Sequence, residues 1–386
     1  MEPMSLTIGI VAVLVLLLAV AVIALRTGLA RQVFFEIYSR VAEVEVLGPN
    51  TVRIPPAESP YDRWVTRAKA EIPVFEGLVI EDVSSINLRP WPQMGDGVSG
   101  LYLRMADYQA SDGRILEIPA RGNTASQRQL VEQGIYFMGG PGHTIIQQDG
   151  AKPESFEWQE GALFSIPLNV RHQHFNDSDN PVRLIAITSF PFMLNALNSE
   201  RFINENSFAF TDRYDAAPDY HDRSERTADD WITTNLVADI LRSETGKVDL
   251  RGRGNRVMHW AMAGNSMLSA HASEIPPRAH KKAHRHSNDS TFLLLSGEGY
   301  TLAWPGGRYH KKQRVDWKAG TLFVPPTYWY HQHFNAGSTP ARYLSINMPD
   351  LLSNLGLRYS DQMNVDLGEV KEEWRKELEK RQHDGR

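Results

Sequence analysis

The sequence predicts an all-β protein: two tandem small β-barrels with connecting helices, placed behind one N-terminal transmembrane helix. Three observations carry this reading: an internal repeat, a series of short apolar or alternating runs broken by Gly, Pro, Asn and Asp, and one uncharged apolar stretch near the start of the chain. Phe156 to Asn176, FEWQEGALFSIPLNVRHQHFN, resembles Arg314 onward, RVDWKAGTLFVPPTYWYHQHFN. Trp158 matches Trp317, Gly161 matches Gly320, Pro167 matches Pro326 and His172 matches His331, all at an offset of 159 residues. The register runs on through Arg183 and Arg342, while EIPAR from Glu117 matches EIPPR from Glu274 at an offset of 157. Self-similarity of this kind marks one structural unit used twice. Runs such as STFLLLSGEGYT from Ser290 are strand-like, so the unit is a sandwich or barrel.

The elements follow in chain order. Residues 1–28 form the anchor: Leu6 to Leu25 reads LTIGIVAVLVLLLAVAVIAL, long enough to cross a hydrocarbon core. A cleaved signal peptide is the competing reading, but no basic segment precedes the stretch and no small-residue cleavage site follows it. Arg26, Arg31 and Arg40 come after it and no Lys or Arg comes before, which predicts a single-pass protein of the inner, cytoplasmic membrane with both barrels on the cytoplasmic side. Residues 29–88 read as a helical and extended linker, in which Gln32 to Val46 has helical periodicity. The first barrel is assigned to 89–195, a helical connector to 196–250, the second barrel to 251–350, and a C-terminal helix and tail to 351–386. Within the connector, Ala228 to Ser243 has an acidic start and an apolar face at helical spacing, which predicts a helix. Leu367 to Lys380 reads as a charged, solvated helix.

With 386 residues, 42% apolar and 23% charged, the chain has the balance of an ordered protein with two domains. A net charge of −5 gives no reason to expect nucleic acid. The absence of cysteine excludes disulfides, thiolate ligands and cysteine nucleophiles, so any transition metal must be held by imidazole and oxygen.

In the second copy, His284 and His286 form an HxH pair in a strand-like segment. Alternate strand residues share a face, so both rings can converge on one ion while Arg285 points the other way. The turn after Pro326 returns His331 to the same interior. Three neutral imidazoles suit iron, manganese, nickel, copper or zinc and leave positions open.

The spacing of Gly320, Pro326, His331 and Asn335, repeated in Gly161, Pro167, His172 and Asn176, resembles the second motif of the cupin superfamily. Ala283 to Gly299, AHRHSNDSTFLLLSGEG, resembles the first motif, most closely the version in gentisate-type ring-cleaving dioxygenases. The likeness runs from about Arg89 to Pro349. It implies a bicupin whose metal ligands are His284, His286 and His331, with Fe(II) the implied ion and Mn, Ni, Cu and Zn the alternatives. Many cupins place a glutamate where this chain has Ser290, and its absence agrees with the three-His subclass. Asp289 is one residue away and faces outward on a regular strand. The first copy has Gln127 and Gln129 at the HxH positions, keeping only His172 with His174 beside it, and is expected to be metal-free. Gentisate-type enzymes usually hold their metal in the first barrel, so the chain departs from that arrangement.

Two further histidines are candidate catalytic groups. His280 is an extra ligand, a base behind the ligands or a solvated loop residue; His333 aims a ligand, donates to substrate or, like its counterpart His174, is structural. Asn335 reads as a turn residue. Trp304, Tyr328, Trp329 and Tyr330 give an aromatic rim that either stacks on substrate or packs. Arg278 and Arg342 recur as Arg121 and Arg183, which favours structural pairing. The expected function is a membrane-anchored mononuclear non-haem iron dioxygenase acting on a small aromatic or hydrophobic oxygenated substrate. The alternatives are a metal-dependent lyase or isomerase, and a non-catalytic sensor or binding module at the membrane. Expected partners are the small-molecule substrate, the membrane through Leu6 to Leu25, and further copies of the chain as a homo-oligomer.

Overall fold

The computed structural model describes residues 58–105, 110–227, 231–262 and 265–383. The expected transmembrane helix and the periodic stretch Gln32 to Val46 lie outside them. Among the described residues, no helix is long and apolar enough to cross a membrane.

Two barrels follow one another, each made of a larger and a smaller sheet. In the first, Val74–Gly77, Ser99–Met105, Asp112–Ile118, Val182–Thr188, Gln133–Phe137, Leu163–Ile166 and Leu236–Val237 lie side by side in that order, and Arg171–Asn176, Gly142–Gln147 and Glu154–Trp158 form the smaller sheet. In the second, the larger sheet runs Ser224–Arg226, Trp231–Thr234, Arg256–Met262, Ser269–Ile275, Ala341–Asn347, Ser290–Ser296, Leu322–Phe323 and Val79–Ile80. Its smaller sheet runs Gln313–Lys318, Glu298–Trp304, Tyr330–Asn335, His284–His286 and Ser360–Gln362. After the strand Glu298–Trp304 the chain makes a 3-10 turn over Tyr309–Lys311, and Trp304 meets Tyr309 edge-on at 5.1 Å.

The sequence repeat reappears as a reciprocal exchange of strands. Val79 and Ile80, which follow Val74–Gly77 of the first barrel, pair with Phe323 and Leu322 of the second. Leu236 and Val237, which follow Trp231–Thr234 of the second, pair with Phe164 and Leu163 of the first. Repeated motif residues perform the same backbone task in both halves. Gly161 and Gly320 turn at φ 88° and 89°, a region that suits glycine. Asn176 Nδ2 donates to the carbonyls of Ile118, Pro119 and Asn180, and Asn335 Nδ2 donates to those of Ile275, Pro276 and Thr339. Arg183 donates to the carbonyls of Val83 and Ile86, and Arg342 to that of Leu241. These arginines brace the incoming linkers.

The two larger sheets pack on each other. Leu103, Ile115, Ile185 and Ile187 share one core with Met258, Trp260, Leu344 and Ile346, and strand alternation sends Tyr343 to the interior of the second barrel instead. Gly134 lies at the contact, where a Cβ would stand 3.0 Å from Ile346 Cγ2. Two carboxyls at repeat-equivalent positions cross this junction. Glu132 accepts from the backbone N–H groups of Ser266, Met267 and Leu268 at 2.7, 2.9 and 3.0 Å and pairs with Arg213 at 2.5 Å. Asp289 accepts from the Ser111 hydroxyl.

One expected helix is corrected. The described part of Ala228 to Ser243, residues 231–243, does not form a helix: Trp231–Thr234 is a strand paired in parallel with the strand Arg256–Met262, Leu236–Val237 joins the first barrel, and Asp239 caps a turn by accepting from Leu241 N–H at 2.8 Å. Its apolar residues at helical spacing complete sheet edges, where β-branched Ile232, Thr233 and Thr234 are well suited. The helix Phe190–Leu197 closes the first barrel's range, and Glu200–Glu205 is a described helix of the connector. The C-terminal helix spans Gly368–His383 and is not merely solvated, since Trp374 packs on Phe334 at 5.3 Å and Arg314 pairs with Glu377.

Candidate metal centre

His284–His286 is a short strand, held on one side by Tyr330–Asn335, where His284 pairs with His331, and on the other by Ser360–Gln362. Alternation turns His284 and His286 inward. Arg285 goes outward, where it lies over the Tyr330 and Tyr359 rings and pairs with Asp361 at 3.4 Å. One nitrogen from each of His284, His286 and His331 lies within 4.8 Å of the others. No Asp or Glu joins this cluster among the described residues. Asp289 faces outward from the triad, as expected, and is buried there at the junction between the barrels, where it meets Ser111, and Ser290 Oγ accepts from Asn288 Nδ2 at 3.2 Å.

The protonation pattern suits a metal. Each Nδ1 faces a carbonyl: His284 that of Lys282 at 3.0 Å, His286 that of Asn288 at 2.7 Å, His331 that of Trp329 at 3.2 Å. Donation to these acceptors places the ring proton on Nδ1 and leaves the Nε2 lone pairs for the ion, the usual way such ligands are oriented. Burial, then the neighbouring His331 and Arg251, hold His284 well below the ordinary imidazole value; burial and His286 do the same for His331, and burial brings His286 down to about 4. All three are neutral at pH 7. His331 Nε2 is buried without a protein partner, an orphan atom that a cation satisfies. The residues therefore form a three-His metal-binding site with positions left open.

His333 shares the inward face but differs in tautomer. Thr301 Oγ1 accepts from Trp317 Nε1 at 3.0 Å and lies 2.8 Å from His333 Nδ1. Indole N–H only donates, so the hydroxyl gives its own hydrogen to Nδ1, and the ring of the neutral His333 keeps its proton on Nε2. That nitrogen is buried and has no protein acceptor. Trp158, Thr144 and His174 repeat the arrangement at 3.0 and 2.8 Å in the first barrel, so the trio is structural in both halves. His280 is not brought to the triad. It lies on the opposite face, between Phe334 and Trp374 at 5.3 and 5.9 Å, with Asp366 at 3.7 Å.

The aromatic rim is dispersed. Tyr330 donates to Asp361 on the outer face, Tyr328 is exposed, and Trp329 supplies only its carbonyl to His331. The interior floor is made by Phe292, which lies 6.3 Å from His331, together with Phe323 and Tyr343. Sequence reasoning missed the polar wall above it. His259 and His271 are paired across adjacent strands with their rings 5.2 Å apart. Buried Lys281 donates to Tyr343 OH at 2.6 Å and Ser273 Oγ at 2.9 Å, and burial brings it down to about 7. The Arg251 guanidinium depresses all three ligands. The repeat held the available signal: at an offset of 157 residues, His271 stands where the first barrel has Arg114, and Arg251 where it has Met94.

Residues 272–347 match the family model for the Cupin domain. A 5-aminosalicylate 1,2-dioxygenase from Comamonas sp is 24% identical over 258 residues, covering 61% of this chain and 65% of the relative, so the match spans just under two thirds of that protein. The Lactobacillus farciminis oxalate decarboxylase, solved as a formate complex, superposes with a TM-score of 0.50 at 11% identity over 74% of this chain and 88% of that one. A variant of the Bacillus subtilis oxalate decarboxylase gives 0.50 at 13% identity over 82% and 89%. These structural likenesses establish the bicupin-like fold.

Proposed function

We propose that the chain is a mononuclear non-haem iron dioxygenase acting on a small oxygenated aromatic acid, tethered to the inner membrane by Leu6 to Leu25 with its barrels on the cytoplasmic side. One observation carries the enzymatic reading: three neutral imidazoles converge in the second barrel with no carboxylate in the cluster. The activity of the Comamonas relative, ring dioxygenation of an aminated salicylate, supports the reaction class. His284, His286 and His331 hold the ion, which supplies Lewis acidity and one-electron chemistry when bound. Arg251 places positive charge above the triad and attracts an anionic substrate. Phe292 and Phe323 keep water from the floor. His333 Nε2–H is a fixed donor beside the ligands, and its trio with Thr301 and Trp317 prevents it from competing as a ligand.

The test is oxygen uptake by the full chain reconstituted with Fe(II), using 5-aminosalicylate and other hydroxylated aromatic acids. Uptake coupled to substrate loss is expected, abolished in His331→Ala. In Arg251→Met, KM rises roughly tenfold or more with kcat less affected, as loss of a charge-assisted contact implies. Metal-loaded protein inert to oxygen with every such acid refutes the proposal. Turnover without oxygen that persists with zinc identifies a lyase instead.

A further inference from the structure

The first barrel lacks the HxH pair, yet its interior holds a positive charge of its own. Arg114 lies on the inward face of Asp112–Ile118 and is 8% exposed. Its guanidinium donates to Gln129 Oε1 at 3.1 Å, Gln133 Oε1 at 3.0 Å and Met94 Sδ at 3.8 Å, and pairs with no carboxylate among the described residues. Asp112, whose charge acts on Arg114, is occupied by the Thr188 and Tyr102 hydroxyls, and burial pushes it up to about 7. A buried guanidinium is normally matched by an anion. Here two amide oxygens and a thioether stand in.

The thioether marks where the match is missing. Arg114 Nη1 and Gln127 Nε2, the latter at 2.7 Å, both aim at Met94 Sδ, a weak acceptor on a flexible side chain. Met94, Gln127 and Gln129 also form the wall of an open cavity of about 400 Å³. Arg171 lines the same cavity without an ion pair among the described residues, and Glu205 at its edge is engaged by Arg201 at 3.0 Å. Two donors that converge on one sulfur beneath a cavity of this size describe a carboxylate site with Met94 as its plug.

We propose that the first barrel binds a small carboxylate anion, with Arg114 supplying the positive charge that the metal supplies in the second barrel and Met94 swinging aside to admit it. The Arg114 Nη1 and Gln127 Nε2 donors then bond the carboxylate oxygens, and Arg171 draws the anion in. The two halves of the repeat thus keep one pocket each, one built around imidazoles and the other around a guanidinium. This site is independent of the reaction proposed for the metal centre.

The test uses the full chain carrying His284→Ala, His331→Ala and Arg251→Met, so that binding at the metal centre is removed, titrated calorimetrically with benzoate and with neutral benzamide. One benzoate per chain is expected, with benzamide roughly tenfold weaker or more. Adding Arg114→Gln removes binding, and adding Met94→Ala tightens it. If Arg114→Gln fails to fold, the exposed Arg171→Glu decides, with about a tenfold loss expected. Absence of benzoate binding, equal affinity for benzamide, or unchanged binding in a folded Arg114→Gln protein overturns the proposal.

Discussion

Replacing Asp289 by Asn removes a carboxyl buried between the two barrels, and its effect must depend on pH. Asp289 is 4% exposed, Ser111 satisfies one of its oxygens, and Oδ1 is buried without a partner. Burial raises its pKa from 3.8 to about 6 in the folded chain. Between these values the folded state holds a proton that the unfolded chain has released. The stability associated with this group is therefore fully present below pH 3.8 and lost as pH rises through about 6. A shift of this size corresponds to about 3 kcal/mol in all, roughly half of it falling between pH 5 and 8. Asp112, raised to about 7 and pushed in the same direction by Asp289, is relieved as well when the carboxylate is removed. Urea unfolding of wild type and Asp289→Asn at pH 5 and pH 8 measures the difference. The variant gains about 1–2 kcal/mol more over wild type at pH 8 than at pH 5. An equal effect at both pH values, or a larger gain at pH 5, refutes the reasoning.

Replacing Glu132, the repeat counterpart of Asp289, has the opposite effect on stability. It is fully buried with three backbone donors and Arg213 around it, so Glu132→Ala destabilises the chain by about 3–5 kcal/mol, read as a lower urea midpoint; a change below about 1 kcal/mol shows that the junction does not depend on it. Thr301→Val and Thr144→Val each strip a buried tryptophan N–H and a histidine of their shared hydroxyl. Each costs about 2–3 kcal/mol, and near-equal losses measured by thermal unfolding confirm the trio as structural, whereas a much smaller loss in Thr301→Val alone indicates that His333 has another partner.

The repeat and the triad were legible in the sequence because each rests on local rules. Gly161 and Gly320 need positive φ, Asn176 and Asn335 each tie three carbonyls, and the HxH spacing converges on one face wherever it lies in a strand. The strand exchange was not legible, since Val79–Ile80 and Leu236–Val237 are two-residue strands that carry no periodicity of their own. The misread helix over Ala228 to Ser243 has the same cause: its apolar side chains are distributed between the sheets of two different barrels. Arg251, His271, Lys281 and Arg114 escaped because each becomes important through partners far along the chain: a lone basic residue, whether in a strand like Arg114 or in a turn like Arg251, looks like a surface residue until the elements that cover it are seen. Tyr330 failed in the other direction, as its place beside His331 in sequence puts it on the opposite face.

Metal stoichiometry and affinity of the full chain, compared with His284→Ala, His286→Ala and His331→Ala, bear most directly on the centre in the second barrel. One divalent ion per chain is expected, with affinity falling about 100-fold or more for each single loss of a ring. Undiminished metal binding in all three variants contradicts the account.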